Sequence, residues 1–390
     1  MTVNNSTCDV PPEAAYVHVP FCLSKCHYCD FNSYAGMQAI FDDYANALMT
    51  EIKRTGSEFD TTQSRPLDSV YFGGGTPTVL SADILGTILA TIDETLHLSP
   101  DAEITIEANP GTVDEYKLVE LQQRKFNRLS LGIQSFDDEF LAKIGRVHTA
   151  DQAITAYHLA RQAGFKNVGL DLIFALPGQT LEHWSRTLDT AIQLSPEHVS
   201  LYELSIEEGT RFADLCAQGR LELPDEDTQL AMYELAISKI TSAGYEHYEV
   251  SNFARPGFRS RHNQVYWRND PYYAFGAGAT SYVHCVRARR VGSPAEYIQA
   301  IYLGSDGIEF SERLTGRALV AETIIQGLRM LDGIRLSKIS QKYFTDIASE
   351  FAVVIQRLQE RGLVELVGDC LRVTHNGLLL LNDVAQEFIS

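Results

Sequence analysis

The sequence predicts an α/β chain: a partial (β/α)6-type barrel followed by a mostly helical, winged-helix-like domain. Three observations predict it. Short β-rich runs alternate with amphipathic stretches from residue 16 to about residue 250, the pattern of parallel strands joined by helical crossovers. Polar residues and glycines gather at or just beyond the C-terminal halves of those runs, where barrels build their sites. From about residue 312 the pattern changes to helix, hairpin, helix.

In chain order, strands are expected over 16–19, 70–72, 104–107, 129–133, 168–174 and 199–204, with a weaker one over 245–250. Several read as apolar on both faces, as strands covered on each side do. Amphipathic helices are expected over 42–54, 81–96, 113–124, 150–163, 181–193 and 227–243. An open doubly wound sheet shares this alternation. A barrel is favoured because Cys22, Gly73 to Thr76, Glu107, Gln134 and Asp171 come from different strands onto one face. Six or seven units fall short of a full eight-fold barrel.

The organisation expected is a short N-terminal segment (1–15), the partial barrel (16–250), an Arg/aromatic-rich connecting segment (251–311) and the winged-helix-like domain (312–390). In the last, a helix over 351–361 precedes a hairpin turning at Gly368-Asp369 and a final helix after Thr374. Its acidic and basic residues nearly balance, which favours packing or partner docking over DNA binding.

The chain has 390 residues, 45% hydrophobic and 21% charged, an ordinary globular composition. No apolar run approaches the ~20 residues of a membrane helix, and the first fifteen residues show no secretory signal. A cytoplasmic protein, not integral to a membrane, is expected. The net charge of −19 repels phosphate backbones and disfavours nucleic acid as a partner. Of seven cysteines, three crowd into the segment from Cys22 to Cys29, which in a reducing compartment reads as metal binding. Cys8, Cys216, Cys285 and Cys370 are scattered and are expected to be ordinary thiols.

Cys22-x3-Cys26-x2-Cys29, in a loop after the first strand, can wrap three thiolates around one face of a [4Fe-4S] cluster. The fourth iron then stays open to the amino and carboxylate groups of a methionine moiety. Electron transfer into the bound sulfonium of S-adenosylmethionine would yield a 5′-deoxyadenosyl radical. The competing reading is a zinc knot with His18 or His27 as fourth ligand, but structural zinc loops come as paired arms and no second arm is visible. Tyr28, between the second and third cysteines, is expected to shield the cluster or stack on the adenine.

Phe72-Gly73-Gly74-Gly75-Thr76-Pro77 follows the second strand and lets backbone carbonyls approach an ammonium group. It lacks the Lys-Ser/Thr ending of a phosphate loop. Glu107 is placed to accept from ribose hydroxyls, and Gln134 and Asp171 occupy matching positions on later strands. Arg146, after the fourth strand, is expected to clamp the methionyl carboxylate.

With these motifs the chain resembles the radical S-adenosylmethionine superfamily, and within it the oxygen-independent coproporphyrinogen III oxidase-like family, over nearly its whole length. It is most similar to the HemW branch of heme chaperones. The resemblance implies Cys22, Cys26 and Cys29 as cluster ligands, and Gly74, Gly75, Thr76, Glu107, Gln134, Arg146 and Asp171 around S-adenosylmethionine, with Tyr16 near the methionyl end. Leu176-Pro177-Gly178-Gln179-Thr180 is a further signature. The decarboxylating oxidase carries a fourth cysteine where Phe31 stands, and an N-terminal arm before a cysteine loop that here begins at Cys22. The chaperone branch carries His-Asn-x-x-Tyr-Trp, present as His262 to Trp267. The branch implies binding of heme and its transfer to heme-acceptor proteins, without decarboxylation. A homodimer suits the family and has no motif here.

The residues from 251 to 285 agree in kind. Arg255, Arg259, Arg261 and Arg268 are expected to form a basic cluster suited to porphyrin propionates. Tyr266, Trp267, Tyr272, Tyr273 and Phe275 offer flat apolar surface, and His262 is the candidate heme ligand. The alternative is that His262 and the aromatics pack an interdomain seam. Thr280 stands where some relatives have His, which argues against a second ligand there. A heme-binding protein is thus favoured over an enzyme that oxidatively decarboxylates coproporphyrinogen III. A tRNA-modifying radical enzyme is disfavoured by charge and by the lack of an appended RNA-binding domain.

Overall fold

The computed structural model describes residues 8–58 and 65–389. One sheet contains β1 (Ala14–Val19), β2 (Leu67–Gly74), β3 (Leu98–Ala108), β4 (Arg128–Gln134), β5 (Val168–Phe174), β6 (His198–Glu203), β7 (Glu246–Glu249), β8 (Asn252–Ala254) and β9 (Tyr273–Phe275). The order across it is β9-β1-β2-β3-β4-β5-β6-β8-β7. From β9 to β6 every neighbouring pair is parallel. β8 runs antiparallel to both β6 and β7. The sheet therefore runs past residue 250, and the stretch expected to be mere connection supplies two strands.

The crossovers are α1 (Phe41–Glu58), α2 (Ala82–Leu96), α3 (Glu115–Gln123), α4 (Ala150–Gln162), α5 (Leu181–Leu194) and α6 (Glu226–Ser242). Their starts are set by side-chain caps: Ser81 accepts from the Ile84 amide, Asp225 from that of Thr228, and Thr149/Gln152 and Thr180/His183 form capping boxes. The helices bury apolar faces, including Leu85, Ile88, Leu118, Tyr157, Trp184 and Leu188, against Val17, Phe72, Ile104, Leu129, Leu131 and Leu170 of the strands.

The inner faces of these strands are not apolar. Ser69, Glu103, Thr105, Arg128, Ser130, His198 and Ser200 are all buried. Alternation within β3 and β4 thus separates an apolar outer face from a polar lumen, correcting the expectation of strands apolar on both faces. The lumen is closed by α7 (Arg261–Trp267). Glu103 accepts from the Arg261 and His262 amides, each at 3.1 Å, so a buried carboxylate holds the first turn of this short helix.

The C-terminal region has its own core, built around Leu319, Ile324, Leu336, Phe351, Leu358, Leu371 and Phe388. Strands Val364–Val367 and Cys370–Val373 form the expected hairpin, and Ile334–Arg335 pairs on its other side. A second small sheet (Thr280–Val283, Val286–Arg290, Ile308–Arg313) links it to the barrel. One expectation about the scattered cysteines is overturned: Cys8 and Cys285 form a disulfide across 277 residues, while Cys216 and Cys370 are free. Two isolated-looking thiols in sequence are brought together only by the fold. Among the described residues no helix is long and apolar enough to cross a membrane.

Candidate S-adenosylmethionine and cluster site

The C-terminal ends of β1 to β6 open into a cavity of about 390 Å³ lined by Cys22, Cys26 and Cys29 together with Gly74, Gly75, Thr76, Glu107, Gln134, Arg146 and Asp171. Eleven of the expected residues thus share one pocket, counting Tyr28, which lines it and packs on the apolar group around Phe140 and Ile144.

The cysteine loop and the glycine loop are hydrogen-bonded together. The Gly75 amide donates to Val19 O at 2.9 Å and the Thr76 amide to Phe21 O at 2.7 Å. The Thr76 hydroxyl lies 3.6 Å from Cys22 Sγ. A Cβ on Gly75 would sit 2.6 Å from Phe21 O, so the approach of the two backbones requires glycine there. Lys25 Nζ donates to Phe31 O and Ser33 O and folds the loop back on itself. Burial raises the Cys22 and Cys29 thiols; Thr76 and Arg146 act against it at Cys22, and Lys25 at Cys29.

Glu107 accepts from the Tyr71 hydroxyl at 2.8 Å and the Gly74 amide at 3.2 Å. Burial, with Asp171 nearby, pushes its carboxyl up to about 7. Asp171 accepts from Ser130 Oγ and is also raised, chiefly by burial. A register shift between Gly132 and Gln134 places Gln134 at φ 70°, and its buried Oε1 has no partner among the described residues.

Two expected residues stand differently. Arg146 does reach the pocket, but its guanidinium already donates to Asn109 Oδ1 and Gly132 O and lies 3.6 Å from Cys26 Sγ. It is set to balance charge at the cysteine loop, beside its expected role as a carboxylate clamp. Tyr16 does not line the cavity; it lies behind the glycine loop, bonded to His18 Nδ1 at 3.0 Å and stacked on Tyr71. Reading the sequence missed Asn109, which donates to Thr76 Oγ1 at 2.8 Å, and Tyr202 and Glu203 at the end of β6. Their signal was present: each lies in or just beyond the C-terminal half of an expected strand, as Glu107 and Asp171 do.

His262 lies outside this pocket, in the floor of the lumen. It is 1% exposed, with Nδ1 3.0 Å from Ser69 Oγ and Nε2 2.9 Å from the Tyr266 hydroxyl. Both ring nitrogens are engaged inside the protein, so its placement does not offer a nitrogen to a heme iron. The arginine cluster also dissolves: Arg255 reaches Ser195 and Pro196, Arg259 pairs with Glu246 and Asp332, Arg261 with Asp101, and Arg268 with Asp270 and Glu13. His18 and His27 are likewise engaged, by Tyr16 and Asn32 O and by Lys143 O and Arg211. Among the described residues no three His, Cys, Asp or Glu side chains are gathered tightly enough for a single metal ion.

The donor set suits a larger cubane cluster: three free thiols, the buried Gln134 amide oxygen without a protein partner among the described residues, and the glycine loop all line one cavity. A three-cysteine loop on the C-terminal face of a partial barrel defines a radical S-adenosylmethionine protein. The profile of the Radical SAM superfamily matches residues 16–191 and that of the HemN C-terminal domain residues 314–380. The chain is 39% identical to heme chaperone HemW of Bacillus subtilis over 97% of this chain and 99% of that one. It is 34% identical to heme chaperone HemW of Escherichia coli over 98% and 99%. The solved coproporphyrinogen III oxidase (HemN) of Escherichia coli, a radical SAM enzyme, superposes with a TM-score of 0.84 at 26% identity, covering 97% of this chain and 90% of that one. The chain belongs to the HemW family.

Proposed function

We propose that the protein is a heme chaperone that carries heme and hands it to heme-acceptor proteins, with a [4Fe-4S] cluster and S-adenosylmethionine held at the barrel top. The observation that carries this reading is the end-to-end similarity to proteins named heme chaperones, on a chain whose cysteine loop and pocket are both intact. The reading places it in the cytoplasm and accommodates a homodimer.

Cys22, Cys26 and Cys29 would hold the cluster, which with S-adenosylmethionine supplies one-electron reduction of a sulfonium. The remaining roles belong to the chain. Glu107, once ionised, accepts from ribose hydroxyls. The glycine loop offers carbonyls to the ammonium group, and Gln134 Oε1 and Asp171 complete the polar wall. Tyr28 and its apolar neighbours keep water from the thiolates.

A second reading, oxidative decarboxylation of coproporphyrinogen III, is favoured by the likeness to HemN. Against it, Phe31, 65% exposed beside the loop, stands where the decarboxylating oxidase has its fourth cysteine. Anaerobic reconstitution followed by iron and sulfide analysis tests the cluster: about four irons per chain are expected, and Cys22→Ser, Cys26→Ser and Cys29→Ser should each lose them. Saturable heme binding and transfer to apo-acceptor protein are expected of the chaperone. Protoporphyrinogen formed from coproporphyrinogen III under reductant and S-adenosylmethionine would move the assignment to the enzyme.

A further inference from the structure

Below the barrel floor, between α7 and the C-terminal helix Gly316–Gly327, lies a second cavity of about 780 Å³ that shares no lining residue with the cysteine pocket. Its size falls within the range of small-molecule sites. Trp267, Tyr272, Tyr282 and Phe388 present ring surfaces to it, the kind of wall that a flat apolar ligand stacks on. Arg287 and Arg317 also line it, against a single lining carboxylate among the described residues, Glu322.

Charge separates this cavity from the alternatives. The cysteine pocket is lined by Asp30, Glu107, Asp171, Glu203 and Glu207 against Lys25 and Arg146. A third cavity of about 610 Å³ carries Glu203, Glu226 and Asp383 against Arg329 alone. Both carry an excess of acidic over basic side chains, which disfavours a ligand bearing two carboxylates. In the second cavity Arg287 is fixed by Glu312 and Glu322, whereas Arg317 lies over the Phe351 ring with its side chain 47% exposed and its Nε 3.9 Å from Glu350, which leaves the terminal amino groups of its guanidinium to meet a further carboxylate.

We propose that this cavity holds the heme cargo, an assignment that rests on the heme-carrier reading. The macrocycle lies among the aromatic faces and its carboxylates turn toward Arg317. Among the described residues no imidazole or thiolate lines the cavity, so the iron would meet the tyrosine side chains of its wall. His262 enters indirectly: it bonds to the hydroxyl of Tyr266, whose ring edges against Tyr272 in the wall. It is a positioning residue, and the motif shapes the cavity without ligating the metal.

The test is a titration of the cluster-reconstituted full chain with ferric protoporphyrin IX, followed by absorbance. Ala318→Trp, at an exposed cavity-lining position on the C-terminal helix, should weaken binding at least roughly ten-fold by filling the space. Arg317→Glu should weaken it several-fold, and cluster absorbance and S-adenosylmethionine affinity should stay unchanged in both. The bound spectrum should keep its oxygen-ligand, high-spin form in His262→Ala. Wild-type affinity in folded Ala318→Trp or Arg317→Glu overturns the cavity assignment while leaving the carrier reading intact. So does an imidazole-type spectrum lost in His262→Ala. Absence of saturable binding by the wild-type chain removes the carrier reading, and the assignment with it.

Discussion

The Glu107 carboxyl, with its ordinary value near 4.5 pushed up to about 7, is bonded to Tyr71 and Gly74 in the pocket wall. A raised folded value means that the protonated form is favoured in the folded chain. Its contribution to stability is therefore full below about pH 4.5 and lost as pH rises through about 7. Glu107→Gln should flatten that part of the melting profile of cluster-free protein, read by thermal denaturation across this window. In the wild type, S-adenosylmethionine should bind more tightly as pH rises through 7, and a dialysis titration of Glu107→Gln should show the dependence gone with affinity down roughly ten-fold. His262 has the opposite sign. Burial lowers it to about 3, so its neutral form stabilises the fold above its usual 6.5, and that stabilisation is lost as pH falls through 3. His262→Ala leaves Ser69 and Tyr266 without their partner and is expected to cost about 2–4 kcal/mol in denaturant unfolding. At this scale the cysteines were legible because ligand spacing is local. The setting of His262 was not, because sequence does not tell a lumen from a surface.

Six parallel strands and six crossover helices were legible as elements, since apolar periodicity and spacing are properties of each segment alone. β8 and β9 were not, being three residues each and too short to show alternation. The stretch expected over 245–250 did form a strand, but at an antiparallel edge. Between elements the tightest constraint is the join of β2 to the cysteine loop. Gly75→Ala would drive a methyl group into the Phe21 backbone, and neither side can yield as a flexible side chain would. The expected outcome is a folded chain that reconstitutes with far less iron, measured against wild type prepared in parallel. A variant that loads fully would show that the two loops separate without loss of the site.

Across the whole molecule, the polar lumen, the floor helix α7 and the C-terminal core stack in that order, with pocket and second cavity on opposite sides of the floor. Such placement is non-local and no motif announces it. The Cys8–Cys285 disulfide acts at the same scale, tying the segment before β1 to the small sheet beside the C-terminal core. Closing so long a loop restricts the unfolded chain, and its reduction should lower stability by about 2–5 kcal/mol. Unfolding of Cys8→Ser beside wild type, each with and without dithiothreitol, checks this; an unchanged midpoint would mean that the bond contributes nothing.

The same bond makes nearly three quarters of the chain a covalent ring, with the C-terminal core hanging from it as a tail. A protease that cuts once anywhere between Cys8 and Cys285 opens the ring without releasing a fragment. The two pieces of the nicked molecule stay joined until a thiol is added, so a gel run under reducing conditions would separate them and one run without thiol would not.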